Sequence, residues 1–430
     1  MKYRITNQDG QRLDKAGTKR SAVLGKSTLA AIREDMEKLQ IPSWMAAAPS
    51  RPGEASQGKF TADQWRTFCT VNLPVTLIHL WGSQSPEGRR HKMLVNFMHL
   101  VTSVRLADMR VTTEEQVQSF EHHYHTYLRT LIGFEEKDHI GGLYPHTRIT
   151  PYQHMMLHFG ELLRRFGPVH SWRCFPFERF NYILQSTKTN SRFGELEETM
   201  FTRFCMMQKL KSLFHGGTFP SEALELATLY QKTIEKTDTR GTRVNDALAF
   251  EEVSETSDPP ADLNSSSSTR LAPNIFAKLA QYASDGKWVT SARIHTKFKR
   301  RGATFAPQNR SFADAQVVFG TSGAEEWSAG SIKQIFTATW ESPDGNYIHK
   351  TFAEISPYKP LSNVHAQQDR YRAFGFAGGR LFYESFEKDT VVLPLEQISA
   401  HFAYSLQFAT FTDEPLIHAL SLSKENDLAV

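Results

Sequence analysis

The chain has almost no cysteine: Cys69, Cys174 and Cys205 are its only three in 430 residues. Thiols so few and so scattered exclude a disulfide framework and a cysteine-rich zinc site, and they fit a reducing compartment. Long apolar runs are missing too. The richest, VNLPVTLIHLWG, is interrupted by Pro74 and His79 and is far too short to cross a bilayer, so no membrane partner is expected. The opening MKYRITNQDGQRLDKAGTKR lacks the apolar segment of a secretory signal. An excess of one charge sign is absent as well. Lys and Arg total 50 against 46 Asp and Glu, a net +4, so any nucleic-acid contact must come from local cation clusters. No internal repeat is visible. What remains is a soluble, intracellular chain whose 40% hydrophobic and 12% aromatic residues can fill two or three cores.

Four stretches differ in texture. Residues 1–60 are basic and polar, with one helical pattern in STLAAIREDMEKLQ that stops before Pro42. Residues 61–236 read as helical. Thr61-Ala-Asp-Gln64 is a capping box opening a helix through Cys69, and helical spacing recurs in HKMLVNFMHLVTSVRLADMR and TTEEQVQSFEHHYHTYLRTLIGF. A second box, Thr150-Pro-Tyr-Gln153, has Pro151 in the first helical position and starts a helix that Gly167 and Pro168 end. Helices from about Glu195 to Phe214 and from Ser221 to Lys236 complete this part. Residues 237–270, with SETSDPPADLNSSSSTR, hold too few apolar residues to fold and read as a disordered linker. Residues 271–430 turn to short alternating runs such as SIKQIFTATW, YIHKTFAEI, RLFYESF and TVVLPL, broken at Pro343-Asp-Gly345 and Gly378-Gly379. The expected class is a multidomain α+β chain: a mostly α-helical N-terminal domain, a disordered linker, and a small all-β barrel or sandwich at the C-terminus.

Candidate chemistry is sparse. His154 and His158 lie four apart, so on a helix they share one face at metal-ligand spacing, and Glu178 follows twenty residues later in Pro176-Phe-Glu-Arg179. Spacing alone favours partly buried structural histidines and a Glu178 paired with Arg173 or Arg179. His122, His123 and His125 read as a solvated helix face, and Cys174 as core. Basic clusters stand at Lys15, Lys19, Arg20 and Lys26, at Arg164-Arg165, and at Lys297, Lys299, Arg300 and Arg301. The last mixes cations with Phe298 and Phe305, which suits contact with DNA phosphates and equally a solvated surface loop. Trp327, Trp340, Tyr358 and Tyr371 are weighed between a ligand cage and the core of a small barrel, and the core reading is preferred.

The stretch from about Trp65 to Leu213 carries ADQWRTFCTVNLPVTLIHLWG, HLVTSVRLADMR, TPYQHMMLHFGELLRRFGPVHSWRCFPFERFNYILQ and GELEETMFTRF. These segments, about 150 residues in all, resemble the region that follows the catalytic core in plant and fungal CACTA (En/Spm-like) DNA transposases. The last part resembles a β module at the C-terminus of fungal transposon-derived proteins. The resemblance implies an RNase-H-like recombinase in which three acids hold two Mg²⁺ or Mn²⁺ ions for phosphodiester cleavage and transfer. It also implies a structural zinc site of Cys-x-x-Cys and a histidine pair. By that resemblance His154 and His158 take the histidine places and Glu178 the third acid. The chain departs from the pattern: it has no Cys-x-x-Cys, and no strand-borne aspartate pair precedes the helices. The expectation is therefore a transposase-derived protein, inactive alone and located in the nucleus. It binds DNA, and cleavage would require an upstream transposase half supplying two aspartates. The alternative is a chromatin or protein-interaction adaptor acting through the β domain.

Overall fold

The computed structural model describes residues 24–54, 60–132, 148–172, 192–215, 268–282, 287–300, 302–320 and 327–423, with 11–13, 19–21, 143–144 and scattered positions between 174 and 229. The tract read as a linker and the helix read over Ser221–Lys236 lie almost wholly outside these residues. Contacts divide the chain into two units, one of Met1–Phe60, Gln64–Trp172 and Glu251–Val430, the other of Thr61–Asp63 and Arg173–Phe250.

In the N-terminal part the helical patterns form helices α1 (Lys26–Lys38), α2 (Ala62–Thr67), α3 (Leu73–Trp81), α4 (Arg89–Ala107) and α5 (Glu114–Ile132). The helix read as ending near Cys69 continues, through a π-helical segment at Phe68–Asn72, into α3. That segment lies just ahead of Pro74, whose missing N–H interrupts the ladder of helical hydrogen bonds. All residues from Leu73 to Ile78 are buried, as suits a helix that is apolar on every side. On α5 only one stripe is buried, with Val117, Phe120, Tyr124, Leu128 and Leu131 recurring every three or four residues. The box at Thr150 forms as read: its hydroxyl accepts from the Gln153 N–H, and the Gln153 side chain accepts from the Thr150 N–H. The helix it opens breaks at Leu157–His158 into α6 (Pro151–Met156) and α7 (Phe159–Phe166), followed by α8 (Val169–Trp172). The second unit contains α9 (Leu196–His215), matching the helix read from Glu195 to Phe214.

Strands β1 (Gln11–Leu13) and β2 (Lys19–Ser21) pair with each other. The C-terminal part holds β3 (Ser268–Arg270), helix α10 (Pro273–Tyr282), β4 (Lys287–Trp288), β5 (Ser291–His295), β6 (Phe298–Arg300), β7 (Ala303–Phe305) and β8 (Gln316–Phe319). Then come β9 (Ser328–Glu341), β10 (Tyr347–Pro360), β11 (Arg380–Phe386), β12 (Val391–Pro394), β13 (Ile398–Gln407) and β14 (Leu416–Ser421). Antiparallel pairing runs β8-β9-β10-β11-β14-β13 and returns to β8, closing a six-stranded barrel. Every barrel strand contributes to its interior cluster: Val318, Ala329, Tyr358, Phe382, Phe402, and Ile417 with Ala419.

The hairpin of β9 and β10 is long enough to serve two sheets. Its barrel end pairs with β8 and β11, and its far end pairs with β5, β4 and β12. A bulge at Lys333 separates the two ends, because Ile332 opposes Ile355 while Gln334 opposes Glu354. At the crowded closure, a Cβ on Gly330 would come within 2.5 Å of Ile355 Cγ2 and 2.8 Å of the Ser356 carbonyl, so only glycine fits. Gly345, at φ 78°, turns the far end, as the Pro343-Asp-Gly345 signal predicts. Helix α10 covers the extension, burying Ile275 and Leu279 against Phe336, Trp340 and Phe352.

Helices and barrel share a core. Leu29 and Ile32 of α1, Leu77, Ile78 and Trp81 of α3, and Leu94 and Met98 of α4 pack with Tyr371, Ala377, Leu381 and Leu416. A second patch joins Val71 and Val75 to Ala403 and Leu420. Residues of β14 therefore alternate between the barrel interior and the helices, which explains why all six are buried. Polar ties reinforce the junction. Gln40 and Tyr404 exchange backbone hydrogen bonds at 2.9 Å, and half-buried Arg105 donates to the carbonyls of Phe376 and Ser421. Each large apolar side chain buried this way stabilises by about 1.5–3 kcal/mol.

Candidate functional site

His154 lies in α6 and His158 at the break before α7, and the residues stay close enough to stack edge to face with ring centroids 5.3 Å apart. Both are exposed. Glu178, with Arg173, Pro176 and Arg179, lies outside the described residues. No group of three histidine, cysteine, aspartate or glutamate side chains able to hold a metal occurs among the described residues. Two imidazoles alone leave a tetrahedral zinc site two ligands short.

The histidines of α5 behave differently. His122 and His125 are exposed, but His123 is half-buried against α4, where its Nδ1 lies 2.8 Å from His99 Nδ1. One ring must donate and the other accept, so the pair forms only if at least one is neutral. Burial, reinforced by the neighbouring imidazoles, holds His123 down to about 4 and His99 below its ordinary value. Cys174 is exposed, contrary to the core reading, while burial raises the Cys69 thiol to about 11 and keeps it unreactive.

One of the basic clusters consists of paired cations. Arg164 is forked between Glu114 and Glu121 at 2.7 Å to each, tying α7 to α5, and Arg165 pairs with Glu161. The β6–β7 hairpin is organised otherwise. Lys297 and Lys299 are exposed and make no ion pair among the described residues, whereas Arg300 is half-buried beneath them. The Arg300 guanidinium donates to three backbone carbonyls: Leu395 at 2.9 Å, Ile398 at 3.4 Å and Glu396 at 3.2 Å. It is thus an anchor, and among the described residues the cations of the hairpin that are exposed to solvent are the two lysines. Arg301 lies outside the described residues. Trp327, Trp340, Tyr358 and Tyr371 all sit in the core, so none lines a ligand cage.

Sequence reading missed a recess of about 410 Å³ that gathers His79 and Ser83 from the end of α3, Arg370, and Phe408, Thr410 and Phe411 from the loop after β13. No motif could have signalled it, because its residues come from three distant parts of the chain and meet only through the shared core. Beneath it, buried His418 stacks on Tyr371 with centroids 3.8 Å apart and donates from Nε2 to the Gly378 carbonyl at 2.7 Å. Comparison with protein-family models, with curated proteins and with solved structures gave no match for this chain.

Proposed function

We propose that this protein is derived from a CACTA-type cut-and-paste transposase, binds DNA in the nucleus, and has no complete catalytic centre of its own. The duplex backbone is contacted through the β6–β7 hairpin, with Lys297 and Lys299 as the phosphate-facing charges. The observation that carries this reading is the division of labour in the hairpin. Arg300 fixes it to the barrel while two exposed lysines have no carboxylate partner among the described residues. Cations held on a rigid element and left uncompensated by the protein's own acids attract phosphate through counterion release. Strand cleavage would need Glu178 together with two aspartates from a partner and the divalent ions they hold. The test is a binding titration of the whole chain against duplex DNA at low salt, with a Lys297→Ala/Lys299→Ala variant in parallel. Binding that weakens in the variant supports the reading, and equal binding by both proteins overturns it.

A further inference from the structure

The recess beside α3 has an arginine without an acid. Arg370 is half-buried, and its Nη1 donates to the His79 carbonyl at 2.8 Å. No carboxylate lies within ion-pair distance of it among the described residues. The adjacent Asp369 is committed elsewhere, since its carboxylate accepts from the N–H groups of Tyr371 at 3.0 Å and Leu381 at 2.9 Å and lies 3.7 Å from Arg372 Nε. Asp35, on α1, acts on His79 only through its longer-range field. Among the lining residues, His79 has its Nδ1 buried without a hydrogen-bond partner, while its ring forms a hydrogen bond with Gln407. A partly buried guanidinium is ordinarily paired with an acid, so Arg370 at the recess is open to an anionic ligand.

The walls narrow the class of that ligand. Phe408 is 71% exposed, Phe411 is half-buried, and Ser83 and Thr410 also line the recess. A guanidinium fork matches phosphate and carboxylate oxygens, while exposed aromatic faces accept a flat ring. A volume near 410 Å³ is more than a bare oxyanion fills and suits one bearing a ring. We infer that the recess binds a phosphate monoester carrying a planar base, that is, a nucleotide, with Arg370 on the phosphate and Phe408 against the ring. The site shares no residue with the β6–β7 hairpin, so either can fail without the other.

The experiment is calorimetric titration of the full chain with inorganic phosphate, adenosine and adenosine 5′-monophosphate. The mononucleotide should bind more tightly than either fragment. Arg370→Gln should weaken it by roughly ten-fold or more, the cost of a charge-assisted hydrogen bond. Phe408→Ala, at an exposed position that cannot unfold the core, should weaken the nucleotide roughly five-fold or more and leave inorganic phosphate unchanged. A 5′-phosphorylated single strand tested against its unphosphorylated twin separates a strand end from a free nucleotide as the source of the phosphate. Absence of mononucleotide binding by the wild-type chain, or equal binding by Phe408→Ala, would overturn the assignment.

Discussion

Two imidazoles in the barrel are buried where charge is costly. His401 donates from Nε2 to the Asp314 carbonyl at 3.1 Å and accepts from the Trp44 indole N–H at 3.3 Å, so a proton on Nδ1 would set donor against donor. Burial holds His401 and His418 each down to about 4. The unfolded chain takes up these protons near the ordinary value of about 6.5, whereas the folded chain resists them. Stability is therefore full above that value and drains as pH falls from about 6.5 towards 4, by up to about 3 kcal/mol per group. Thermal unfolding followed between pH 7.5 and 4.5 should show this loss, and His401→Gln should flatten the profile. A melting temperature constant across that range would contradict it. Neither residue was legible in the sequence as a buried group, because nothing local marks a histidine whose partners lie 87 and 357 residues away, as for His401, or 40, as for His418. The core placement of Tyr358 and Tyr371, by contrast, followed from barrel size and ring volume alone.

Among elements, those governed by local rules were legible and those set by long-range pairing were not. The Thr150 box, α5 and the Gly345 turn are written in a few adjacent residues. The barrel's closure is written in none. It depends on β9 and β10 bending at the Lys333 bulge and on Gly330 yielding space to Ile355. The β6–β7 hairpin shows the same limit. Its four cations read as one basic patch, yet Arg300 spends its hydrogen bonds on carbonyls that lie some 95 residues further along the chain. Arg300→Ala should therefore loosen the hairpin without unfolding the barrel. Amide exchange should accelerate within Phe298–Phe305 while β13 and β14 keep their protection, and unchanged exchange in the hairpin would refute the anchor. Arg164 teaches the converse lesson: next to Arg165 it looks available, but Glu114 and Glu121 already neutralise it.

For the molecule as a whole, the composition change near residue 237 invites a division into a helical and a β domain. Contacts in the first unit run across that boundary instead. Leu77, Ile78 and Trp81 share a core with Tyr371, Leu381 and Leu416, so exposing one side exposes the other. With domain stabilities of only about 5–15 kcal/mol, losing a few such residues is enough to unfold both sides. Helical ellipticity and barrel amide protection should thus disappear at the same denaturant concentration; helices melting first would show two independent bodies. In the proposed function the hairpin on that joint scaffold presents its two lysines to DNA. The most direct test of that claim is the slope of log K against log salt for duplex binding, measured for the wild-type chain and the Lys297→Ala/Lys299→Ala variant. If both lysines displace counterions, removing them should make the slope shallower by about 1.8, and an identical slope in the two proteins would contradict the account.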